Sequence, residues 1–226
     1  MKPLIYSLFE KMDIKTTDNE IAGEIASDLL EIAAIKLNLA KPYSWSSGWK
    51  SPVYCDNRLS LSYPRIRDKI KSHLAVSIRK LFPSVEIIAG VATAGIPQGA
   101  LVADALSLPF IYVRSKPKGH GMENLIEGYL EEGKKVVVIE DLISTGGSSL
   151  KAIEALRQNK AEVLGLMAIF NYGFAVADEN FSEAGVQAYS LSNYNEMIKR
   201  ALSSGYIKDN QVETLKAWRL DPAGWG

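Results

Sequence analysis

The sequence predicts an α/β fold built on a mainly parallel, twisted sheet flanked by helices. Short apolar runs typical of buried strands alternate with longer segments of helical periodicity, which is the pattern of strand–helix–strand units. Three of the apolar runs lead into segments rich in small or basic residues, at 90–99, 114–121 and 140–149. Because the carboxyl ends of parallel strands meet at one edge of a sheet, we expect these three segments to converge on one ligand.

Length and composition set bounds on the kind of protein. For 226 residues we predict a single domain, 1–226, with an N-terminal helix and hood segment over about 1–60 and a core over about 61–226. Lys plus Arg and Asp plus Glu are equal at 26 each, so neither a nucleic-acid nor a membrane partner is expected. A single cysteine, Cys55, excludes an internal disulfide and indicates a cytoplasmic protein. Met1–Met12 lacks the pattern of a signal peptide.

The predicted elements follow from periodicity and capping residues. Asp18 is a suitable N-cap for a helix over Asn19–Lys36, with Asp28 among the acids on its polar face. Pro64 opens a second helix that ends near Phe82. The other predicted helices are Ala100–Leu106, one that follows the 140–149 segment, Asn193–Ser203 and Asp209–Trp218, with Trp218 and Trp225 as packing residues. The predicted strands are Val85–Ala89, Phe110–Val113, Val136–Ile139, Ala161–Phe170 and Val186–Leu191.

The most informative stretch is Val136–Ser149. Its four branched apolar residues predict a strand buried on both faces, and Glu140 and Asp141 follow where that strand is expected to end. The small residues of 144–149 lead into a helix, so this turn can present backbone N–H groups to a phosphate. Carboxylates beside a phosphate site need another partner, which sugar hydroxyls or a hydrated Mg²⁺ would provide. From the residues alone, a surface turn with two solvated acids is the alternative.

Two other segments carry groups suited to a ligand. Arg114, Lys116, Lys118 and His120 alternate, so an extended backbone places all four on one face, as a lid over a polyanion requires. The alternative for this segment is a solvated charged loop. The stretch Tyr43–Arg58 is rich in aromatic and hydroxyl groups, and it predicts either a cover over a planar ligand or a hairpin packed on the first helix.

The central stretch resembles a known motif. Glu140–Ser148 is similar to the 5-phosphoribosyl-1-pyrophosphate (PRPP) motif of type I phosphoribosyltransferases, which implies their fold, with a small N-terminal hood. In that family the two acids bind the ribose 2′- and 3′-hydroxyls and the turn holds the 5′-phosphate. The resemblance implies a PRPP site made of Glu140, Asp141, Leu142, Ile143, Ser144, Thr145, Gly146, Gly147 and Ser148.

Two further segments resemble orotate phosphoribosyltransferases. Ser-Gly-Trp-Lys-Ser-Pro-Val-Tyr at 47–54 is similar to the hood that covers the base in that family. Arg114, Lys118 and His120 have the spacing of its flexible catalytic loop, and Gly128 fits the Ile-Glu-Gly that follows the loop. The resemblance implies transfer of the 5-phosphoribosyl group from PRPP to orotate. The products are orotidine 5′-phosphate and pyrophosphate, in pyrimidine (UMP) biosynthesis.

The resemblance also implies roles for individual residues. Lys118, His120 and Asp141 would be catalytic, and Arg114 would join the two loop residues around the departing pyrophosphate. Mg²⁺ would be bridged to the protein through PRPP and water, with no direct protein ligand. Ser144 would contact the base, and a homodimer would share the 114–121 loop across its interface.

Three positions depart from the orotate-specific pattern. Ala94 and Ser115 stand where lysines are common, and Asn171 lies near the point where an arginine holds the orotate carboxylate. Besides Ser144, the residues expected to contact orotate instead are Lys50, Arg58 and Tyr172. Two alternatives follow, a phosphoribosyltransferase for another base such as a purine, and a non-catalytic PRPP-sensing regulator that binds nucleic acid.

Overall fold

The computed structural model describes residues 14–45, 48–116 and 125–225. The helices in these ranges are α1 (Asn19–Glu31), α2 (Pro64–Leu81), α3 (Gly95–Leu106), α4 (Gly147–Gln158), α5 (Ala175–Glu183), α6 (Tyr194–Ser203) and α7 (Asp209–Leu220), with a 3₁₀ helix over Asn57–Ser62. The strands are β1 (Lys15–Thr16), β2 (Ile35–Leu37), β3 (Tyr43–Ser44), β4 (Lys50–Ser51), β5 (Val53–Cys55), β6 (Ile87–Val91), β7 (Phe110–Val113), β8 (Ile126–Glu127), β9 (Lys135–Ile143), β10 (Glu162–Asn171) and β11 (Ala188–Asn193). No helix in the ranges given above has both the length and the apolar character that a membrane span needs.

Seven of the described strands form one sheet in the order β1-β11-β10-β9-β6-β7-β8. Each neighbouring pair is parallel except β7 and β8, so the prediction of a mainly parallel sheet is confirmed. The adjacent strands β9, β6 and β7 lead into the three segments that the sequence singled out. Because these strands are parallel, the three segments leave the same edge of the sheet.

Helices cover both faces of the sheet, which explains why its strands are almost continuously apolar. In β9, Val137 and Ile139 belong to a core shared with α1, α2 and α3, whereas Val136 and Val138 belong to a second core shared with α4 and α5. All four side chains are fully buried. The strand that carries the acidic pair is therefore held from both sides.

The aromatic segment near the N-terminus forms the hood, which consists of β2 to β5. It contains two short antiparallel pairs, β2 with β5 and β3 with β4. Pro52, which has no N–H to donate, falls between β4 and β5, and Val53–Cys55 pairs with β2.

The first predicted helix was too long. It ends at Glu31 because Ala33 adopts a left-handed conformation (φ 55°) and the chain then enters β2 of the hood. The placement of Asp28 on the solvent side was also wrong. This carboxylate is buried between α1 and α2, where Arg65 Nη1 lies at 3.1 Å and Lys69 Nζ at 2.7 Å from its oxygens.

Other element boundaries also differ from the prediction. The helix α3 begins at Gly95 rather than at Ala100, since the small residues that resembled a loop pack closely against β9. The strand β9 continues past the acids to Ile143, because its last residues still pair with β10. The acidic pair therefore lies within the strand and not beyond it.

Candidate active site

Glu140 and Asp141 lie near the carboxyl end of β9. Side chains at 136–139 alternate between the two cores, with the even positions on the α4 side. Beyond the acids the alternation has shifted by one residue, because Leu142 packs on the opposite core and Ile143 on the α4 side. A regular strand would separate neighbouring side chains onto opposite faces. Because the alternation changes at the acidic pair, the Glu140 and Asp141 side chains need not lie on opposite faces of the sheet. Both carboxylates can then approach one ligand.

Glu140 is a buried acid held by the first turn of α4. Its carboxylate accepts hydrogen bonds from Ser149 Oγ (3.0 Å), Ser148 Oγ (3.4 Å) and the backbone N–H of Asp141 (3.0 Å). Burial raises the pKa of Glu140 well above its usual value of 4.5, and the neighbouring charge of Asp141 raises it further.

Asp141 is only partly buried. Burial raises its pKa too, while the hydrogen bond with Glu140 and the charge of Arg58 act in the opposite direction. The two carboxyl groups titrate as a pair. These directions favour protonation of Glu140 over protonation of Asp141.

We expect Glu140→Gln to remove a pH dependence of stability. The folded-state pKa of Glu140 lies above its unfolded value, so the folded protein holds this proton more tightly. The bound proton thereby contributes to the free energy of unfolding. This contribution is fully present below the unfolded pKa of about 4.3, and it is lost as pH rises through the folded pKa. The free energy of unfolding in urea, measured at several pH values from about pH 4 upward, should therefore rise for the glutamine variant relative to the parent as pH increases. A difference that is the same at every pH would contradict the buried, protonated acid.

The turn between β9 and α4 has the features of an anion-binding turn. Gly146 has a φ of 81°, and a Cβ added there would lie 2.8 Å from the Phe181 ring, so both backbone and space require glycine. Asn180 Nδ2 donates to Thr145 O (2.9 Å) and fixes the turn. From Gly147 onward the first N–H groups of α4 lack partners within the helix, so they are available to an anion at the turn.

The N-terminus of α3 lies against the acidic strand. A Cβ added at Gly95 would lie 2.5 Å from Ile139 O and 3.5 Å from Glu140 Cα. Only glycine permits this approach of two backbones. The contact brings the 90–99 segment to the acids, where Ala94 contributes no charged side chain.

We expect Gly95→Ala to destabilise the fold by about 1–3 kcal/mol, because the added methyl group meets backbone atoms that cannot move aside. Gly147→Ala is the control, since the nearest atom to its new methyl group is Thr145 Oγ1 at 3.9 Å. Thermal unfolding should show a lower midpoint for the first variant and an equal or higher one for the second. Equal midpoints for Gly95→Ala and the parent would mean that α3 and β9 are not in contact.

A cleft of about 350 Å³ opens between the hood and the end of β9. This volume lies in the range of small-ligand sites. Its hood wall consists of Ser44, Trp45, Trp49, Tyr54 and Cys55, and its sheet wall consists of Leu142, Ser144, Thr145 and Tyr172. Aromatic faces with interspersed hydroxyl groups suit a flat, polar ring.

The aromatic wall is supported by α7. The Trp45 ring lies 5.0 Å from that of Tyr172 and 5.6 Å from that of Trp218, centroid to centroid. Trp218 is fully buried and donates from Nε1 to Lys50 O (3.0 Å), so its predicted packing role is confirmed. Burial raises the pKa of Tyr172 well above 10, which keeps its phenol neutral.

None of the described residues that line the cleft is cationic. Lys50 Nζ donates to the Oγ of the lining residue Ser44 (2.8 Å), so Lys50 is linked to the hood wall. Arg58 makes two bonds to Asp56, at 2.6 and 2.8 Å, and its guanidinium is largely exposed. Of the two candidate cations for a ligand carboxylate, Arg58 is thus already engaged by a carboxylate.

Arg114 lies directly after β7. Its Nη1 is 3.5 Å from Glu127 Oε1, and it lines a second cavity of about 440 Å³ together with Ser148 and Lys151. Ser148 belongs to the anion-binding turn, so this cavity adjoins that turn. The two other cationic residues predicted for the site, which lie outside the described residues, are Lys118 and His120.

Two side chains hold the acidic pair in a way that was not identified from the sequence. Ser149 is 1% exposed and donates to Glu140. The hydroxyl-rich run after the glycines was a usable signal for it. Asn57 donates from Nδ2 to Asp141 O (2.6 Å) across 84 positions of the chain, and nothing local in the sequence indicates such a contact.

Residues 61–190 match the family model described as a phosphoribosyl transferase domain. The match includes β9, the acidic pair, the anion-binding turn and α4. The chain therefore belongs to the phosphoribosyltransferases and has their fold.

Relatives narrow this class further. The chain is 55% identical over 202 residues to the orotate phosphoribosyltransferase of Cytophaga hutchinsonii, which covers 89% of this chain and 97% of that protein. The chain belongs to the orotate phosphoribosyltransferase family. The structure of orotate phosphoribosyltransferase from Aeropyrum pernix is similar, with a TM-score of 0.71, 30% identity, and coverage of 81% of this chain and 99% of that one. Leishmania donovani UMP synthase gives a TM-score of 0.76 at 25% identity, covering 88% of this chain, which spans only 42% of that protein.

Proposed function

We propose that the chain transfers the 5-phosphoribosyl group from PRPP to orotate, giving orotidine 5′-phosphate and pyrophosphate, in pyrimidine (UMP) biosynthesis. One observation carries this proposal. An acidic pair and an anion-binding turn lie side by side where a cleft with aromatic walls opens at the edge of the sheet. A phosphorylated sugar and a planar base need this combination of groups.

The donor would lie along the strand, turn and helix. Asp141, which carries the charge of the pair, would accept hydrogen bonds from the ribose hydroxyls, while Glu140 orients it. The turn at 144–148 would hold the 5′-phosphate with its N–H and hydroxyl groups. Leu142 would face the base, as its place in the cleft wall indicates, and Ile143, whose side chain is buried, would contribute only through its backbone.

The reaction needs charge placement more than it needs a protein nucleophile. The bond from ribose C1 to pyrophosphate breaks as the bond from C1 to orotate N1 forms, N1 gives up its proton to the departing pyrophosphate or to water, and positive charge develops on the sugar. The negative charge of Asp141 stabilises that cation. Arg114, Lys118 and His120 would stabilise the growing negative charge on pyrophosphate.

We propose that Mg²⁺ arrives with the donor. Within the described ranges, no three His, Cys, Asp or Glu side chains are grouped so that they could hold a metal ion. The family resemblance implies that the donor and water would hold the ion, with no direct protein ligand. Bound there, Mg²⁺ would neutralise part of the leaving group's charge, while Asp141 orients the hydroxyls.

The base would stack in the aromatic cleft, with Ser144 as a polar contact. Lys50 is the best-supported partner for the orotate carboxylate, because its bond to Ser44 places it at the hood wall. Arg58 would have to leave Asp56 to take that role. Tyr172 would contribute a ring face and a neutral hydroxyl.

We further propose a cytoplasmic homodimer in which the 114–121 loop of each subunit completes the site of its partner. The sharing of the loop rests on its resemblance to the catalytic loop of the family. Arg114, where this loop begins, lies beside a cavity next to the anion-binding turn of its own subunit, so the structure of one chain does not itself assign the loop to either site. The free thiol of Cys55 is consistent with a reducing compartment.

The second candidate base is a purine, since the absence of a cation among the described lining residues suits a neutral ring. The two candidates are separated by incubating the protein with PRPP, Mg²⁺ and one base at a time. Pyrophosphate release and the ultraviolet absorbance of the base are followed. We expect release with orotate and none with adenine, guanine or hypoxanthine. Release with a purine alone would overturn the proposal.

A further inference from the structure

A buried amide connects the two walls of the cleft. Asn57 follows β5 at the start of the 3₁₀ helix and is 1% exposed. Its Nδ2 donates to Asp141 O at 2.6 Å, and its Oδ1 accepts from Cys55 Sγ at 3.2 Å. Cys55 lines the cleft on the hood side, and Asp141 belongs to the acidic pair in β9. The Asn57 side chain therefore bonds to the hood wall of the cleft through its Oδ1 acceptor and to the acidic strand β9 through its Nδ2 donor.

The same residue is linked to α3. Its backbone carbonyl accepts from Ser60 Oγ (2.6 Å), and Ser60 Oγ in turn accepts from Gln98 Nε2 (3.2 Å). Ser60 and Gln98 are both buried. Gln98 lies in the first turn of α3, the helix whose N-terminus touches β9 at Gly95. Three segments far apart in the chain thus meet through one polar network.

Such a network is stiff for a physical reason. A buried donor or acceptor that loses its partner finds no water to replace it. Breaking any one of these hydrogen bonds therefore costs free energy, which keeps the bonds formed. Burial strengthens these bonds electrostatically and makes partial rearrangement costly. The position of Asp141 relative to the hood is therefore set by Asn57 and not by the sheet alone.

We propose that Asn57 is a positioning residue that aligns the ribose-binding acid with the base-binding wall. This role rests on the proposed function of the site. Asn57 acts through Asp141 and Cys55 and does not itself contact the reacting atoms. The bond to Asp141 would affect the binding of PRPP, and the bond to Cys55 would affect the binding of orotate. Substitutions at Asn57 can therefore test the two bonds separately.

Two variants of similar size test the proposal. Asn57→Leu removes both bonds without adding charge, and we expect the KM values for PRPP and for orotate each to rise by about tenfold. Asn57→Asp retains the acceptor for Cys55 but turns an oxygen toward Asp141 O. We expect its KM for PRPP to rise by about tenfold while its KM for orotate stays within about twofold of the parent. Repulsion by the new charge would act more strongly on the highly charged PRPP than on orotate, but salt screens it, so we expect the selectivity to persist when both KM values are measured at high ionic strength.

Asn159→Ala is the matched control. Asn159 Nδ2 donates to Ala155 O (2.8 Å) at the C-terminal end of α4, away from the cleft. Its loss should lower the thermal unfolding midpoint without changing either KM. The proposal is overturned if Asn57→Leu leaves both KM values within about twofold of the parent, or if Asn57→Asp raises both alike.

If Asn57→Leu does not fold, Asn57→Asp alone tests the proposal. The criterion is again a raised KM for PRPP with an unchanged KM for orotate. A parent protein that releases no pyrophosphate with orotate would instead overturn the proposed function. In that case calorimetric PRPP binding by Asn57→Asp, expected to be about tenfold weaker than that of the parent, still tests the link to Asp141.

Discussion

Asp141→Asn is expected to lose about 10²–10³-fold in kcat/KM while it folds as the parent does. The carboxylate is the negatively charged member of the acidic pair, and it would face both the ribose hydroxyls and the carbon at which positive charge develops. An amide of the same shape keeps one acceptor but removes the charge. The fold should be retained, because asparagine keeps the shape of the side chain and the bond from Asn57 goes to the backbone oxygen of residue 141.

The measurement for Asp141→Asn is steady-state turnover with orotate and PRPP, together with circular dichroism and thermal unfolding. Asp104→Asn is the matched control, since Asp104 is an exposed acid on α3. It should retain both parental turnover and the parental unfolding midpoint. Parental turnover in Asp141→Asn would show that the acidic pair does not hold the ribose.

Lys118→Ala is expected to lower kcat by about 10²–10³-fold and to weaken PRPP binding far less. The ammonium group would reach the pyrophosphate mainly as negative charge grows on the leaving group, so its loss raises the barrier more than it weakens ground-state binding. Single-turnover kinetics and equilibrium PRPP binding separate the two effects. Lys80→Ala, at an exposed position of α2, is the control. An unchanged kcat in Lys118→Ala would remove the 114–121 loop from the mechanism.

The same two variants test whether the loop is shared between subunits. If Lys118 acts in the site of the partner, a mixed dimer of Lys118→Ala and Asp141→Asn subunits has one site that carries both changes and one intact site. Mixing the two proteins after reversible dissociation should therefore recover activity that neither has alone. A mixture as inactive as its components would place the loop over its own subunit's site.

The parts of the fold that the sequence predicted well are those fixed by local patterns. The apolar run at 136–139, the glycines that follow it and the period of α4 identified the strand, turn and helix that carry the acidic pair. Pro64 identified the start of α2 in the same way. Each of these signals lies within a few residues of the structure that it specifies.

The parts that the sequence did not predict depend on contacts between distant segments. The helix α1 stops at Glu31 because β2 pairs with β5 of the hood. The helix α3 starts at Gly95 because its backbone packs on β9. The bond from Asn57 to Asp141 joins residues that have no periodic relation in the chain. Periodicity and capping rules describe neighbours along a helix or strand, so they carry no information on these pairings.

The most direct test is a crystal structure of the protein with PRPP, Mg²⁺ and a non-reactive analogue of orotate. We predict that the ribose hydroxyls lie within hydrogen-bonding distance of the Asp141 carboxylate, and that the 5′-phosphate is bound by the N–H groups at 144–148. The analogue should lie between the hood and Leu142. Donor density at another place on the molecule, with only solvent at the end of β9, would contradict the assignment of this site.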